Sequence, residues 1–159
     1  MLARDLMTRD VIYVREDAAT RDVIRILAEY GVSGLPVLNN DRELVGIVTE
    51  ADVLGRVGAA VTDIMTRRVI TATEATPTDQ IAQLITGNRI KRVPIVRDNQ
   101  VVGIVSRADL VRELASRWVC GTCGAIHLGQ MPQECDACGA PGAIFGRQID
   151  PRTEISARY

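Results

Sequence analysis

With 159 residues, 47% hydrophobic and 25% charged, and a formal net charge of -1, the chain has room for one or two small domains of about 100 to 150 residues each. It is too short for a catalytic α/β barrel of about 250. Near-neutral charge gives no field for gathering polyanions, which argues against nucleic acid and membrane surfaces as partners. No apolar run reaches the roughly 18 residues of a membrane helix, and the start MLARDLMTRD is too charged for a signal peptide, so the chain is expected in the cytoplasm.

Read in chain order, the first half is repeated in the second. DLMTRDVI from Asp5 to Ile12 returns as DIMTRRVI from Asp63 to Ile70. GLPVL from Gly34 to Leu38 returns as RVPIV from Arg92 to Val96, and VGIVTEAD from Val45 to Asp52 returns as VGIVSRAD from Val102 to Asp109. Order and spacing hold, with one residue gained in the first copy's turn at Asn39 to Glu43, which marks a duplication.

Each copy opens with a short apolar strand, Val11 to Val14 or Val69 to Ala72. A helix follows with Thr20 or Thr78 as its N-cap. Val23, Ile24, Leu27 and Tyr30, and then Ile81, Leu84 and Ile85, recur at helical spacing and predict one buried face per helix. Gly31 and Gly87 punctuate the helix ends. Two strands come next, Leu35 to Leu38 and Leu44 to Val48, joined by the turn Asn39-Asn40-Asp41; the second copy repeats them around Asp98-Asn99. A second helix starts just after Thr49 or Ser106, and residues Gly55 to Ala60 form the junction.

One copy of roughly 55 residues is marginal alone, so the two are expected to share a core as a pseudo-twofold α+β pair with two equivalent clefts. The last helix of the second copy, Arg107 to Arg117, carries Leu110, Val111 and Leu114 on one face. It runs into Trp118 and Cys120 without a flexible linker. The expected division is 1–59, 60–117, a cysteine module at 118–147 and a polar tail at 148–159.

Two readings fit the strand-to-helix corners. In one, Thr49 or Ser106 caps the helix with Asp52 or Asp109 at N3, a capping-box variant that needs no ligand. In the other, exposed N–H groups and a carboxylate receive a polyhydroxyl ligand, the acidic side chain taking both hydroxyls of a ribose.

The four cysteines form two C-x-x-C pairs, Cys120 with Cys123 and Cys135 with Cys138, each followed by a glycine, Gly124 or Gly139, that lets backbone N–H groups turn toward sulfur. Four thiolates at about 2.3 Å make a closed tetrahedral site, and a module of roughly 30 residues needs that metal to fold. Two disulfides or four free thiols are the alternatives, disfavoured by the cytosolic setting for disulfides. Soft sulfur donors suit zinc and iron alike.

The two repeats resemble a tandem pair of CBS domains, a Bateman module, over about Arg4 to Arg117. The resemblance is carried by Met7-Thr8-Arg9 and Met65-Thr66-Arg67, the proline-centred strands, and the G-I-V-T/S-x-x-D corners. It implies β-α-β-β-α units, frequent dimerisation, and adenosine-containing ligands such as AMP, ADP, ATP or S-adenosylmethionine regulating an attached or partner protein. Carried over, the first cleft uses Asp52 and Thr49 for the ribose, with Ile12, Val32, Ser33, Gly34 and Ile47 lining the adenine slot. The second uses Asp109, Ser106, Ile70, Ile90 and Ile104. Lys91 and Arg92 stand where the first copy has Ser33 and Gly34, and are either phosphate-binding cations of the second cleft or a solvated pair.

The run from Trp118 to Phe145 resembles the rubredoxin-like domain of rubrerythrins through Trp118, both C-x-x-C-G knuckles, His127, Gly129, Pro132 and Phe145. That resemblance implies iron, with zinc in related ribbons. Ala125 and Asp136 depart from the usual aromatic and proline, which leaves zinc open, and His127 is read as structural.

No Ser/His/Asp set or glycine-rich phosphate loop offers catalysis. The expected function is therefore a non-enzymatic sensor, dimeric, that binds an adenosyl ligand between the repeats and presents a metal ribbon to a protein partner. An iron electron carrier or redox sensor is the first alternative. A nucleic-acid adapter using Arg147, Arg152 and Arg158 is the second, and the less favoured.

Overall fold

The computed structural model describes residues 1–148, so the polar tail with Arg152 and Arg158 lies outside the described residues. The chain divides into two compact units, Met1–Arg107 and a second from Ala108 onward. The second unit takes in the last repeat helix, where Glu113 and the following Ser116 bond to Arg147 of the cysteine module.

In the first unit, α1 (Ala3–Leu6), β1 (Val14–Arg15), α2 (Thr20–Tyr30), β2 (Gly34–Leu38), β3 (Leu44–Thr49) and α3 (Glu50–Gly55) make the first repeat. The second has α4 (Val61–Ile64), α5 (Thr78–Gly87), β4 (Arg92–Arg97) and β5 (Gln100–Ser106). Strands β1, β2 and β3 form one sheet, β1 parallel and β3 antiparallel to β2, while β4 and β5 pair antiparallel.

The first short strand of each copy is smaller than its apolar run predicts. Only Val14–Arg15 pairs in the first copy, and in the second Ala72 makes a single parallel bridge to Ile95. The cause is an exchange between the repeats. Thr8 bridges to Ile104 and Thr66 to Ile47, Ala3 N–H donates to Thr76 O and Val61 N–H to Ala18 O. Each M-T-R segment therefore lies on the other repeat, and the residues after it are spent on crossing back.

Glycine in the G-I-V motif makes that exchange possible. A Cβ at Gly46 would fall on the Met65 thioether, and one at Gly103 on that of Met7. Both methionines are buried, and Val61, Ile64 and Met65 join Val14, Val23, Leu27, Leu35, Val37 and Val48 in one core cluster. Each such side chain contributes about 1.5–3 kcal/mol by leaving water. The core is thus shared in the literal sense that each repeat supplies part of the other's.

Several local expectations change for the same reason. Thr20 and Thr78 are the first helical residues rather than caps, because Thr20 Oγ1 donates to Gly58 O and Thr78 Oγ1 to Met1 O, chain belonging to the exchanged segments. Of the expected α2 face, Val23 and Leu27 are buried but Ile24 and Tyr30 are exposed. Gly31 ends α2 in the left-handed conformation at φ 62°. Gly87 does not do this for α5; it is the last helical residue, and Arg89 takes the left-handed position at φ 54°.

The second unit holds α6, whose full span is Arg107–Leu114, then β6 (Arg117–Cys120), β7 (Ile126–Leu128), a 3-10 turn at Gly142–Ile144 and β8 (Phe145–Gln148), in the antiparallel order β7-β6-β8. The predicted apolar face of α6 is mostly outside: Val111 and Leu114 are exposed, and its buried residue is Glu113. Glu113 accepts from Arg147 at 3.2 Å; Arg147 also donates to Ser116 Oγ at 2.6 Å and its guanidinium lies 5.9 Å from the Trp118 ring centre. The apolar core here is only Cys120, Cys135, Ala140 and Phe145, with Trp118 and Ala125 against it. Among the described residues no helix is long and apolar enough to cross a membrane.

Candidate functional site

At the first corner, β3 delivers Thr49 to the start of α3, and the capping box forms. Asp52 Oδ2 accepts from both Thr49 N–H and Thr49 Oγ1, each at 2.8 Å, while Asp52 N–H reaches Thr49 Oγ1 at 3.4 Å. Asp52 Oδ1 pairs with Arg56 at 3.3 Å, and Arg56 also donates to Ile64 O and Met65 O of the exchanged segment. Each carboxylate or hydroxyl oxygen accepts at two lone pairs. Oδ2 is therefore saturated, whereas Asp52 Oδ1 and Thr49 Oγ1 each keep one acceptor site, side by side.

A cavity of about 290 Å³ opens over this corner, near the lower end of the roughly 300–1,000 Å³ usual for small-molecule sites. Ser33, Ile47, Thr49, Glu50 and Asp52 of the first repeat line it together with Thr66, Arg68, Ile70, Arg89, Ile90, Lys91 and Arg92 of the second. The structure thus brings Ile70, Ile90, Lys91 and Arg92 to Asp52, whereas the sequence reading grouped them with Asp109. The exchange of M-T-R segments carries Thr66 and the residues after it onto the first repeat's strand.

Ile12 and Val32, expected beside Asp52, pack instead against the first core cluster, and Gly34 is buried in β2. Ile104 and Ser106 lie on β5 in the first unit, while Asp109 belongs to the second, where it pairs with Arg112 at 3.2 Å. Thr66, Arg68, Arg89 and Glu50 were missed by the sequence reading. The one available signal was Arg89, an arginine where the first copy has a glycine.

Four cations and two carboxylates line the cavity. Arg92 donates to Gly34 O and Ser33 Oγ, which ties β4 to β2 across the repeats. Lys91 Nζ lies 3.4 Å from the Glu50 carboxylate at the exposed mouth.

In the second unit the four sulfurs converge. Cys120 and Cys138 Sγ are 3.7 Å apart, as are Cys123 and Cys135, and all lie within 4.8 Å of one another. None is in a disulfide, and the closest pairs are between knuckles, not within the C-x-x-C motifs. A tetrahedron with bonds of about 2.3 Å has edges of about 3.8 Å, so the spacing suits one ion.

The two knuckles are built alike. Gly124 and Gly139 take φ of 75° and 72°, and their N–H groups donate to Cys120 O and Cys135 O. The Cys123 N–H aimed at the Cys120 sulfur, helped by that of Thr122 and the Cys138 and Cys123 thiols, lowers the Cys120 pKa to about 6 against desolvation. At Cys138 the Ala140 N–H also lowers, but the Cys123, Cys120 and Cys135 thiols and burial together prevail and push it up to about 12. One thiol is thus held toward the thiolate while its neighbour keeps its proton, as expected of closely spaced sulfurs that cannot all ionise together without a cation.

Cys120 and Cys135 are buried, and Cys123 and Cys138 are exposed. His127 packs edge-on against Phe145 at 5.1 Å, with Nε2 3.7 Å from Cys135 Sγ and 3.3 Å from Asp136 Oδ1. Arg147, counted among the cations of a nucleic-acid adapter, is engaged by Glu113 and Ser116.

The CBS domain model matches residues 3–59 and 61–116. Inosine-5'-monophosphate dehydrogenase of Methanocaldococcus jannaschii is 35% identical over 113 residues, covering 69% of this chain and 23% of that enzyme. The chain therefore spans under a quarter of that relative's length. The crystal structure of the CBS domain pair of protein MJ0100 in complex with 5'-methylthioadenosine and S-adenosyl-L-methionine is 33% identical, with a TM-score of 0.67 over 70% of this chain and 94% of that one. CBSX2 in complex with AMP is 28% identical, with a TM-score of 0.67 over 70% and 93%. The four cysteines lie beyond the residues matched by the domain model.

Proposed function

The chain belongs to the CBS-domain family, and from that premise we propose that it is a non-catalytic sensor holding an adenosine-containing ligand, AMP, ADP, ATP or S-adenosylmethionine, in the cavity over Asp52. The observation that carries this reading is the pair of neighbouring acceptors at Asp52 Oδ1 and Thr49 Oγ1, one for each hydroxyl of a ribose. Ile47, Ile70 and Ile90 supply apolar walls for a base. Capping and ligand binding are not rivals here, since the cap orients the carboxylate and leaves one of its oxygens open. A ligand at 100 times its dissociation constant would stabilise the bound form by about 2.7 kcal/mol, enough to move a switch.

In this reading the second unit is a ribbon of the rubredoxin-like kind in which Cys120, Cys123, Cys135 and Cys138 hold one zinc or iron ion. With four sulfurs the coordination is closed, so the ion supports folding and recognition rather than hydrolysis. The whole acts in the cytoplasm as a dimer and passes its ligand state to a protein partner. Calorimetric titration of adenosine, AMP and S-adenosylmethionine into the full chain tests the sensor. A saturable heat with at least one of them is expected, and none with any overturns it.

A second reading is favoured by the exposure of Cys123 and Cys138, which gives a bound iron an outlet for electrons: a redox sensor tuned by nucleotide. Metal analysis with a visible spectrum separates the two. A red protein bleached by dithionite supports the redox reading; a colourless zinc protein removes it.

A further inference from the structure

We propose that His127, Cys135 and Asp136 form a second metal site, open to solvent, that shares the Cys135 sulfur with the four-cysteine centre and takes zinc, an inference that rests on the four-cysteine reading above. The three ligand atoms lie within 4.8 Å of one another. His127 Nε2 is 3.7 Å from Cys135 Sγ and 3.3 Å from Asp136 Oδ1. A tetrahedral ion with bonds of about 2.3 Å to sulfur and about 2.0–2.2 Å to nitrogen and oxygen sets sulfur about 3.6 Å from nitrogen, and nitrogen about 3.4 Å from oxygen. Both edges match one ion in contact with all three donors.

The two knuckles serve as each other's control. Cys120-Gly121-Thr122-Cys123-Gly124 and Cys135-Asp136-Ala137-Cys138-Gly139 make the same turn, and Gly121 fills in the first the position that Asp136 fills in the second. The turn therefore has no need of a carboxylate. Nor does the fold press Asp136 inward: its side chain is 84% exposed and free to turn into water, yet it faces the sulfurs. His127, the only histidine, is brought to the same place by different means. Strand β7 pairs it with Trp118, and Phe145 holds its ring edge-on at 5.1 Å.

Charge makes that position of Asp136 costly unless a cation shares it. Four thiolates around one divalent ion keep a net negative charge, and Asp136 brings a further carboxylate within 4.8 Å of Cys135 Sγ, where like charges repel. A second divalent ion turns the repulsion into attraction. A thiolate keeps lone pairs after binding one metal, so Cys135 can bridge two. Sulfur, imidazole and carboxylate together are a zinc donor set. Three protein ligands leave the fourth position to water, which makes this the more weakly held and exchangeable ion of the two.

The test loads the full chain with zinc by dialysis and counts metal by elemental analysis, for the parent and for Asp136→Ala and His127→Gln variants. The parent should hold about two zinc ions per chain and each variant about one. Cobalt(II) titration supplies a second readout: the sulfur-to-metal charge-transfer band should rise first in all three proteins, with a second, distinct spectral step in the parent alone. Asp136 is exposed, so its variant leaves the ribbon folded, and unaltered Trp118 fluorescence checks this. A parent that saturates at about one zinc overturns the second site, the His127–Asp136 contact being then a plain hydrogen bond, and leaves the four-cysteine reading standing. A second ion retained by either variant also overturns it, since that ion lies elsewhere. A parent that binds no metal overturns the four-cysteine reading, and the second site with it.

Discussion

The repeat pair and the cysteine ribbon reach an ordered state by different means. In the repeat pair, Leu35, Val48, Ile64, Ile81, Ile95 and Val105 are fully buried, and the exchanged segments lock each half to the other. The ribbon has Phe145 and Ala140 beside two cysteines, and its remaining order comes from knuckle hydrogen bonds and the Glu113–Arg147 pair. Burial can stabilise the first; in the second, four sulfurs occupy the place of a core, and under the proposed function an ion held by them would supply its stability. Under the proposed function stability and sensing would be separated, because the Asp52 cavity lies in the repeat pair and the four cysteines in the second unit.

The strongest way to break this contrast is to remove the proposed ion. Chelation or Cys135→Ser should unfold the ribbon, since structural zinc supplies about 10–16 kcal/mol in small modules. Trp118 is the only tryptophan and lies in the ribbon, so its fluorescence should shift while the thermal transition of the repeats stays in place. A Trp118 signal unchanged by chelation would show that the ribbon stands on its own core.

The converse perturbation is Ile64→Ala, which empties a fully buried position where the second repeat enters the first. It should cost about 2–5 kcal/mol in urea unfolding of the repeats, with metal content unaltered. Asp52→Ala is smaller: loss of the carboxylate that accepts from Thr49 N–H and Oγ1, the N3 half of the capping box, should cost about 1 kcal/mol, and ligand affinity should fall by more than that stability change explains.

The pH dependence of metal loading sharpens the same comparison. Metal binds thiolates, so affinity falls as pH falls. With its pKa lowered to about 6, Cys120 brings no proton to be displaced above that pH and one below it, so the plot of log affinity against pH should steepen on the acid side of about 6. Competition with a chromophoric chelator between pH 5 and pH 8 reads the slope.

Much of this was legible in the sequence because it is local. The duplication, the β2–β3 and β4–β5 hairpins, the Thr49–Asp52 box and the C-x-x-C-G knuckles each depend on residues close in the chain. What was not legible is the partner of each local element. Nothing in DIMTRRVI says which repeat it lies on, so Ile70, Ile90, Lys91 and Arg92 were grouped with Asp109 when they line the Asp52 cavity. The α6 face misled for a related reason: Leu110, Val111 and Leu114 have the spacing of a buried stripe, yet the residue taken inside is Glu113, held by Arg147. In hindsight, the clearest pointer to the cavity was the replacement of the Gly31 equivalent by Arg89, a local cost without a local return.

The most direct test of the central claim is a crystal structure of the metal-loaded chain grown with AMP. The account predicts the nucleoside in the Asp52 cavity, with ribose hydroxyls donating to Asp52 Oδ1 and Thr49 Oγ1. Nucleotide bound elsewhere, or a cavity closed by the chain's own side chains at saturating AMP, would contradict it.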